Sequence, residues 1–397
     1  MGNEEQGAVD VSIVMPVLNE ELTLPHCIEN AKKALKLLES KNLTGEIVIS
    51  DNDSTDGSAS LASRLGARVV SCPERGYGRA LIRGIKAARG RMIVIGDADG
   101  SYDFTDSIPM IEKLQEGFEL CMGNRFAGGI MPGAMPFLNK HFGNPLLTGI
   151  LNLLFRSGIG DAHCGLRAFT KEAFAKMRLC SRGMEFASEM VVRAALLKLR
   201  RTEVSITLHR DLRDKPPHLK PWRDGWRHLK FLMLSSPLWL YFIPSGLLIT
   251  LSSFVFVALF LTNRYEVFSF GGLWIGDHWF ILAGGLFTLG CNGILLGLAA
   301  LIQSINHGHR KPSQLLLRIY KSITVEKGFT LGGLFFLIGI AMLVHVFLIW
   351  TSSNFGPMMR IRETVIATTF IVVGIQVFFS GFFLSSLKED SNEEPGE

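Results

Sequence analysis

Three short acidic segments each follow a run of apolar, largely β-branched residues: Asn19-Glu20; Asp51-Asn52-Asp53-Ser54-Thr55-Asp56-Gly57-Ser58; and Asp97-Ala98-Asp99-Gly100-Ser101-Tyr102-Asp103. Asp97 and Asp99 stand two residues apart, which on an extended segment places both carboxylates on one face. Hard oxygen ligands with open positions suit Mg²⁺ or Mn²⁺ bound jointly with a diphosphate. A lone D-x-D is also ordinary turn composition. Three acidic clusters meeting at one edge, however, would repel one another unless a cation or a donor-rich ligand sat among them. Competing signatures are absent: Gly76-Tyr77-Gly78 lacks the third glycine of a dinucleotide fingerprint, and no G-x-x-x-x-G-K-[ST] occurs. Residues 75–79 (RGYGR) open a helix; they either face an anion with backbone N–H groups and arginine or form a plain helix N-terminus.

The elements that must position these residues alternate. Strand signals at 11–17, 46–50, 67–71 and 91–95 are separated by helical periodicity at 21–40, 58–66 and 78–89. A β-α-β-α order predicts an α/β fold, a mostly parallel sheet with helices on both faces. Ligands of such sheets bind beyond the carboxyl ends of the strands, where the acidic segments fall.

The second half differs. The whole chain of 397 residues is 48% hydrophobic and only 19% charged, too apolar for one ordinary soluble domain. Residues 237–261, 279–302, 328–350 and 365–387 contain no Asp, Glu, Lys or Arg, and each run reaches at least 23 residues. That length crosses a hydrocarbon core of roughly 30 Å, so an all-α membrane domain of four transmembrane helices is expected, with both termini on one side. Lys215, Lys220, Arg223, Arg227 and Lys230 precede the first span, and Arg310, Lys311, Arg318, Lys321 and Lys327 separate the second from the third; the opposite loops hold Arg264, Arg360 and Arg362. Positive residues stay inside, which places the large N-terminal domain and both termini in the cytoplasm; a bacterial or archaeal cell membrane is the expected location. The expected organisation is a polar tail at 1–10 without a signal peptide, a catalytic domain at 11–214, a basic juxtamembrane segment at 215–236, a membrane domain at 237–387 and an acidic tail at 388–397. Trp222, Trp226, Leu229 and Met233 recur at helical spacing beside Arg223, Arg227 and Lys230, the pattern of an interfacial helix. Intramembrane His345 and Gln376 are read as structural polar groups between helices. Six cysteines without C-x-x-C spacing argue against a zinc ribbon or redox dithiol and suit a reducing compartment. A net charge of +5 gives no reason to expect a nucleic-acid partner.

In order along residues 10–210, the segments 14–20 (VMPVLNE), 51–58, 76–90, 96–101, 123–126 (GNRF) and 161–169 (DAHCGLRAF) resemble the family 2 glycosyltransferases, and among them the polyprenyl-phosphate branch typified by dolichyl-phosphate mannose synthases. The resemblance implies a GT-A fold and inverting transfer of one sugar from a UDP- or GDP-sugar to undecaprenyl or dolichyl phosphate, in contact with membrane lipids and with a homo-oligomer allowed. It implies that Pro16, Leu18, Glu20, Asp51, Asp53, Asp97, Ala98 and Asp99 hold the nucleotide sugar, and that Asp97 and Asp99 bind Mg²⁺ or Mn²⁺. The branch often carries glutamine as a third ligand two residues past the second Asp; here that position is Ser101. A polyprenyl phosphate brings a dianion to the membrane surface and requires cations. Arg125 is the first choice, since guanidinium clamps phosphate bidentately, followed by Lys140 and Arg167, with Asp99 and Arg125 as the catalytic pair. Arg167 is read equally as a sheet-edge arginine paired to Asp161 or Glu189. Lys140 lies in 135–155, an amphipathic stretch read as an interfacial helix. Residues 209–218 (HRDLRDKPPH) resemble the basic segment that closes over donor phosphates in this branch, and the Q-x-x-R-W of processive synthases is absent. Two other readings stay open: a neutral lipid or lipid-linked sugar acceptor, with Asp103, Glu185 or Glu189 as base, and an inactive transferase-like scaffold.

Overall fold

The computed structural model describes residues 9–213, 221–261, 268–270, 273–306, 314–357 and 360–389. Residues 1–8 and 390–397 of the expected tails, the loop cations Lys215, Lys220, Arg264, Arg310 and Lys311, and the 214–218 part of the basic segment lie outside the described residues. The chain divides into two compact units, Met1–Leu232 and Met233–Glu397.

The first unit runs β1 (Val11–Val17), α1 (Leu24–Glu39), β2 (Gly45–Asp51), α2 (Ser58–Arg64), β3 (Arg68–Ser71), α3 (Tyr77–Ala87), β4 (Met92–Ile95), a 3₁₀ turn (Phe104–Asp106), α4 (Ser107–Gln115), β5 (Leu120–Asn124), α5 (Arg125–Gly128), a π turn (Asn139–Gly143), α6 (Asn144–Phe155), β6 (Arg167–Thr170), α7 (Lys171–Met177), α8 (Phe186–Leu196), β7 (Arg201–Ser205) and α9 (Pro221–Leu234). The strands form one sheet in the order β3-β2-β1-β4-β6-β5-β7. All pairs are parallel except those of β6, which runs antiparallel to β4 and β5. This is the GT-A arrangement. Alternation in β1 feeds two cores: Ile13 and Met15 pack with Leu24, Ile28, Phe104 and Ile111 on one face, and Val14 packs with Leu81, Ile85, Phe186 and Met190 on the other.

Because β6 is reversed, its first residue, Arg167, and the loop before it lie at the same edge as the carboxyl ends of β1, β2, β4, β5 and β7. Helix α1 starts three residues later than its periodicity suggested, since residues 20–23 close a turn in which the N–H groups of Thr23 and Leu24 donate to Glu20 O. Pro25 follows at the first turn, where its missing N–H costs nothing. Helix α9 is held by its Asp224, His228 and Leu232 face, while Trp222 (88% exposed) and Trp226 (63%) point away from the unit. Ser188 Oγ lies 2.8 Å from His228 Nδ1 and 3.3 Å from His163 Nε2, and the two imidazoles meet edge to face. Burial pushes both histidines down, His228 to about 4, so the contact is one between neutral rings.

The second unit holds a π turn (Leu238–Phe242), α10 (Ile243–Leu261), the hairpin β8 (Phe268–Phe270) and β9 (Leu273–Ile275), α11 (Asp277–Asn306), α12 (Gln314–Ser322), α13 (Val325–Ser352) and α14 (Ile361–Glu389). Four helical stretches are long and apolar enough to cross a membrane: Leu238–Leu261, Asp277–Asn306, Val325–Ser352 and Ile361–Lys388. Three overrun the uncharged runs in the sequence because Asp277, Glu326, Lys327, Arg362, Glu363 and Lys388 continue the helices at their ends. Small residues bring backbones together, as in membrane helix pairs generally. A Cβ on Gly332 would lie 2.5 Å from Phe378 N and one on Gly374 2.6 Å from Phe336 N, so α13 and α14 touch main chain to main chain. Arg362 staples three helices, donating from Nε to Asp277 (2.8 Å) and from Nη1 to Leu259 O (2.6 Å). His345 is exposed rather than bonded between helices, and lines a cavity of about 370 Å³ with Ile338, Met342 and Glu363.

Candidate functional site

The acidic segments converge beyond the carboxyl ends of β1, β2 and β4. The first two loops are laced together: the N–H groups of Asn19 and Glu20 donate to Ser54 Oγ and Ser58 Oγ (3.0 Å each), and Thr55 N donates to Asn19 Oδ1 (2.8 Å). Asn19 takes a left-handed φ of 56°, which its short amide side chain tolerates. Thr23 Oγ1 donates to Ala98 O (2.7 Å) and lies 3.2 Å from Glu20 Oε2, joining the first loop to the third. Pro16 and Leu18 are half-buried at the end of β1, and Ala98 is buried. Asp51 is buried at the end of β2 with Oδ1 unpartnered, an acceptor placed for the hydroxyl or N–H donors of a ligand. Asp53 is exposed and ion-paired to Arg75 (3.4 Å). The N-terminus of α3 is not open to an anion: the N–H groups of Gly78 and Arg79 donate to Arg182 O, so the plain-terminus reading of residues 75–79 holds.

Asp97 is wedged against the floor of this edge. Tyr77 Oη donates to its Oδ1 (2.9 Å), and burial followed by the neighbouring Asp99 charge pushes its carboxyl up, to about 6. A divalent cation would reverse that shift by favouring the ionised form. Asp99 accepts from the N–H (3.0 Å) and hydroxyl (2.5 Å) of Ser101. Ser101, expected as a third metal ligand, therefore spends its hydroxyl proton orienting Asp99. Among the described residues no three His, Cys, Asp or Glu side chains gather as a complete metal site. Two carboxylates with the rest of the shell supplied by phosphate and water is nonetheless how Mg²⁺ is commonly held at nucleotide sites, so the residues present fit such an ion.

The carboxylates already have a counter-charge, which the site assignments read from the sequence did not include. After β7 the chain crosses the third acidic loop: His209 N donates to Ser101 O (3.0 Å) and Leu212 N to Asp99 O (2.9 Å). Gly100, at φ +81°, makes room, since a Cβ there would fall 2.8 Å from the Leu212 side chain. Arg213 then reaches between two loops, with Nη2 2.5 Å from Glu20 Oε1 and Nη1 3.4 Å from Asp99 Oδ2.

The expected phosphate cations fare differently. Arg125, at the end of β5, is buried and gives Nε (2.6 Å) and Nη2 (2.8 Å) to Asp161, whose Oδ2 also takes the Arg125 N–H. Glu203 on β7 braces this pair by accepting from the N–H groups of Gly160 (2.8 Å) and Asp161 (3.0 Å); no motif marked it. Arg167 does not serve as an acceptor cation here. It is 1% exposed, its three nitrogens each donate to a main-chain carbonyl, Cys164 O, Ala187 O and Ala162 O, and burial keeps the remaining N–H groups from a phosphate; neither Asp161 nor Glu189 is its partner. Lys140 lies on the π turn leading into α6, within a run exposing Phe137 (69%), Leu138, Phe142, Leu146 (63%) and Leu153. Of the alternative bases, Asp103 caps the 3₁₀ turn through Thr105 N, and Glu189 accepts from Cys180 N and Ser181 N.

Residues 12–178 match glycosyl transferase family 2, and residues 297–388 match that family's C-terminal transmembrane region. A low-salt glycan biosynthesis hexosyltransferase of Haloferax volcanii is 36% identical over 384 residues, 96% of this chain and 90% of that protein. The chain belongs to glycosyl transferase family 2. The transferase is also 32% identical over 216 residues to the glycosyltransferase AglJ of the same organism, 54% of this chain and 68% of that one. Among solved structures, glucosyl-3-phosphoglycerate synthase from Mycobacterium tuberculosis in complex with Mn²⁺ and uridine diphosphate is 21% identical, covers 58% of this chain and 79% of that one, and gives a TM-score of 0.44.

Gly165 supplies a sharp test of the site floor. A Cβ there would lie 2.6 Å from Asp97 Oδ2 and 2.9 Å from the Tyr102 ring, while Gly165 N donates to Tyr102 Oη (2.8 Å). Gly165→Ala must displace Asp97, and turnover is expected to fall by about a hundredfold, the scale of a 1 Å misplacement in a catalytic site. Steady-state transfer assays beside a thermal melt check this; a variant with wild-type turnover would show that Asp97 is not fixed for catalysis.

Proposed function

We propose that this membrane transferase moves a single hexose, with inversion, from a nucleotide-diphosphate sugar to a membrane polyprenyl phosphate. The reading rests on one juxtaposition: the paired Asp97 and Asp99, after β4, share a sheet edge with the buried Arg125, after β5. One side of the site suits a metal diphosphate and the other an anionic acceptor. Asp51, Glu20 and Asp53 line the nucleotide end, with Pro16, Leu18 and Ala98 as its backbone walls. Arg125, with Lys140 beside the exposed apolar run, serves the acceptor end. The catalytic domain comprises residues 11–214 and faces the cytoplasm, where nucleotide sugars are made, and the spans anchor it to the acceptor's bilayer.

In the reaction a phosphate oxygen attacks the anomeric carbon as the bond to the donor diphosphate breaks. The nucleophile is already ionised near neutrality, its second pKa being about 6, so no protein base is required. Of the three alternative bases, Asp103 and Glu189 accept main-chain hydrogen bonds, and Glu185 accepts from Gly183 N through Oε1 with Oε2 unpartnered. A divalent ion held by Asp97 and Asp99 would neutralise charge on the departing diphosphate. Tyr77 and Ser101 orient the two carboxylates, and Asp161 orients Arg125.

Incubation of the full chain with radiolabelled UDP- and GDP-hexoses, Mn²⁺ and either polyprenyl phosphate or diacylglycerol tests the proposal. Label should enter the polyprenyl-phosphate fraction, and one nucleotide should be strongly preferred. Transfer to diacylglycerol alone would contradict the acceptor assignment.

A further inference from the structure

Arg213 stands within ion-pair distance of both Glu20 and Asp99, two carboxylates brought in by different loops. The contact is built rather than incidental. Main-chain hydrogen bonds from His209 and Leu212 fix the approach of the segment that carries it, Leu212 sits over Gly100, and the side chain is 18% exposed. Asp97, Asp99 and Glu20 place three acidic groups at one edge, and a guanidinium among them offsets repulsion that would otherwise disfavour their ionised forms.

We propose that Arg213 is an internal counter-cation of the donor site, holding Asp99 and Glu20 in place until a divalent ion takes over the charge of Asp99. The proposal rests on the reading that Asp99 binds that ion. A cation entering beside Asp99 meets a like charge that is already paired there, so Arg213 lowers the affinity for metal alone. It thereby ties tight metal binding to the arrival of a further anion, the nucleotide diphosphate, around which both cations are satisfied. The same charge that keeps the acidic loops together makes the site selective for the metal–diphosphate pair over the free metal.

The test is a Mn²⁺ titration of the full chain in detergent, with free Mn²⁺ followed by electron paramagnetic resonance and no nucleotide present. Arg213→Gln is expected to bind Mn²⁺ about tenfold more tightly than wild type, the order expected for removing a unit charge a few ångströms away in a partly screened site. Arg213→Lys, which keeps the charge, should stay within about threefold of wild type. Equal or weaker Mn²⁺ binding by Arg213→Gln overturns the proposal, and it is the result expected if the arginine merely pins the chain across Gly100. Repeating the titration with UDP or GDP separates the two claims. If wild type retains no Mn²⁺ even then, the metal reading itself fails; if it does and Arg213→Gln shows no gain without nucleotide, only the counter-cation idea fails.

Discussion

Asp99→Asn is expected to lower turnover by about a thousandfold, the scale of losing a main electrostatic contribution in an active site, while the protein stays folded. Asparagine keeps the shape of the side chain and an oxygen for the Ser101 N–H and hydroxyl, so the loop from 97 to 103 retains its local hydrogen bonds. What disappears is the charge. The repulsion that raises the Asp97 carboxyl goes with it, and Arg213 keeps Glu20 as its partner, so the net effect on stability is small. The loss therefore falls on chemistry: a hard divalent ion shared with a diphosphate would lose one of its two carboxylates and half of the charge that holds it. Turnover within tenfold of wild type in a saturating-donor assay would remove Asp99 from the mechanism.

The second large effect concerns the Arg125–Asp161 pair. Asp161→Ala leaves a buried guanidinium without its bidentate partner, and breaking such a pair from one side costs about 3–5 kcal/mol. The melting temperature should fall sharply and activity with it, which alone would not separate structure from function. Replacing both members, Arg125→Met with Asp161→Ala, removes the uncompensated charge and should recover most of the stability, because an apolar replacement of a buried ion pair is often neutral. Transfer to a polyprenyl phosphate should remain absent in the double variant. Recovery of turnover together with stability would show that the pair is scaffolding alone.

How much of this was legible in the sequence depended on how local the signal was. The β1, β2 and β4 strands are short runs of apolar residues ending at acidic turns, and both the parallel sheet and the positions of Asp51, Asp97 and Asp99 at its edge followed from that. The four membrane helices were visible because a hydrocarbon core demands long uncharged runs. The reversal of β6 was not visible: it is four residues long, preceded by an irregular loop with no periodicity, and its direction is set by pairing with β4 and β5. The main-chain partners of Arg167 were hidden for the same reason. A guanidinium beside a motif looks like an anion site until the carbonyls of Cys164, Ala187 and Ala162 are seen to absorb it. Arg213 and Glu203 reach the site across 193 and 42 residues from Glu20 and Asp161, and such long-range polar contacts leave no mark in local spacing. The resemblance of 209–218 to a segment that closes over donor phosphates pointed to the region but singled out no residue in it.

The central claim is that Asp97 and Asp99 grip a divalent ion together with the diphosphate of a sugar nucleotide. A structure of the full chain with Mn²⁺ and the nucleotide diphosphate that most stabilises it tests this most directly, through the anomalous signal of manganese. One manganese peak is expected within about 2.0–2.3 Å of the carboxylate oxygens of this pair and of the diphosphate, as hard-cation coordination requires, with the Arg213 guanidinium withdrawn from Asp99. Nucleotide bound with manganese elsewhere, or with Arg213 still paired to Asp99, would contradict it.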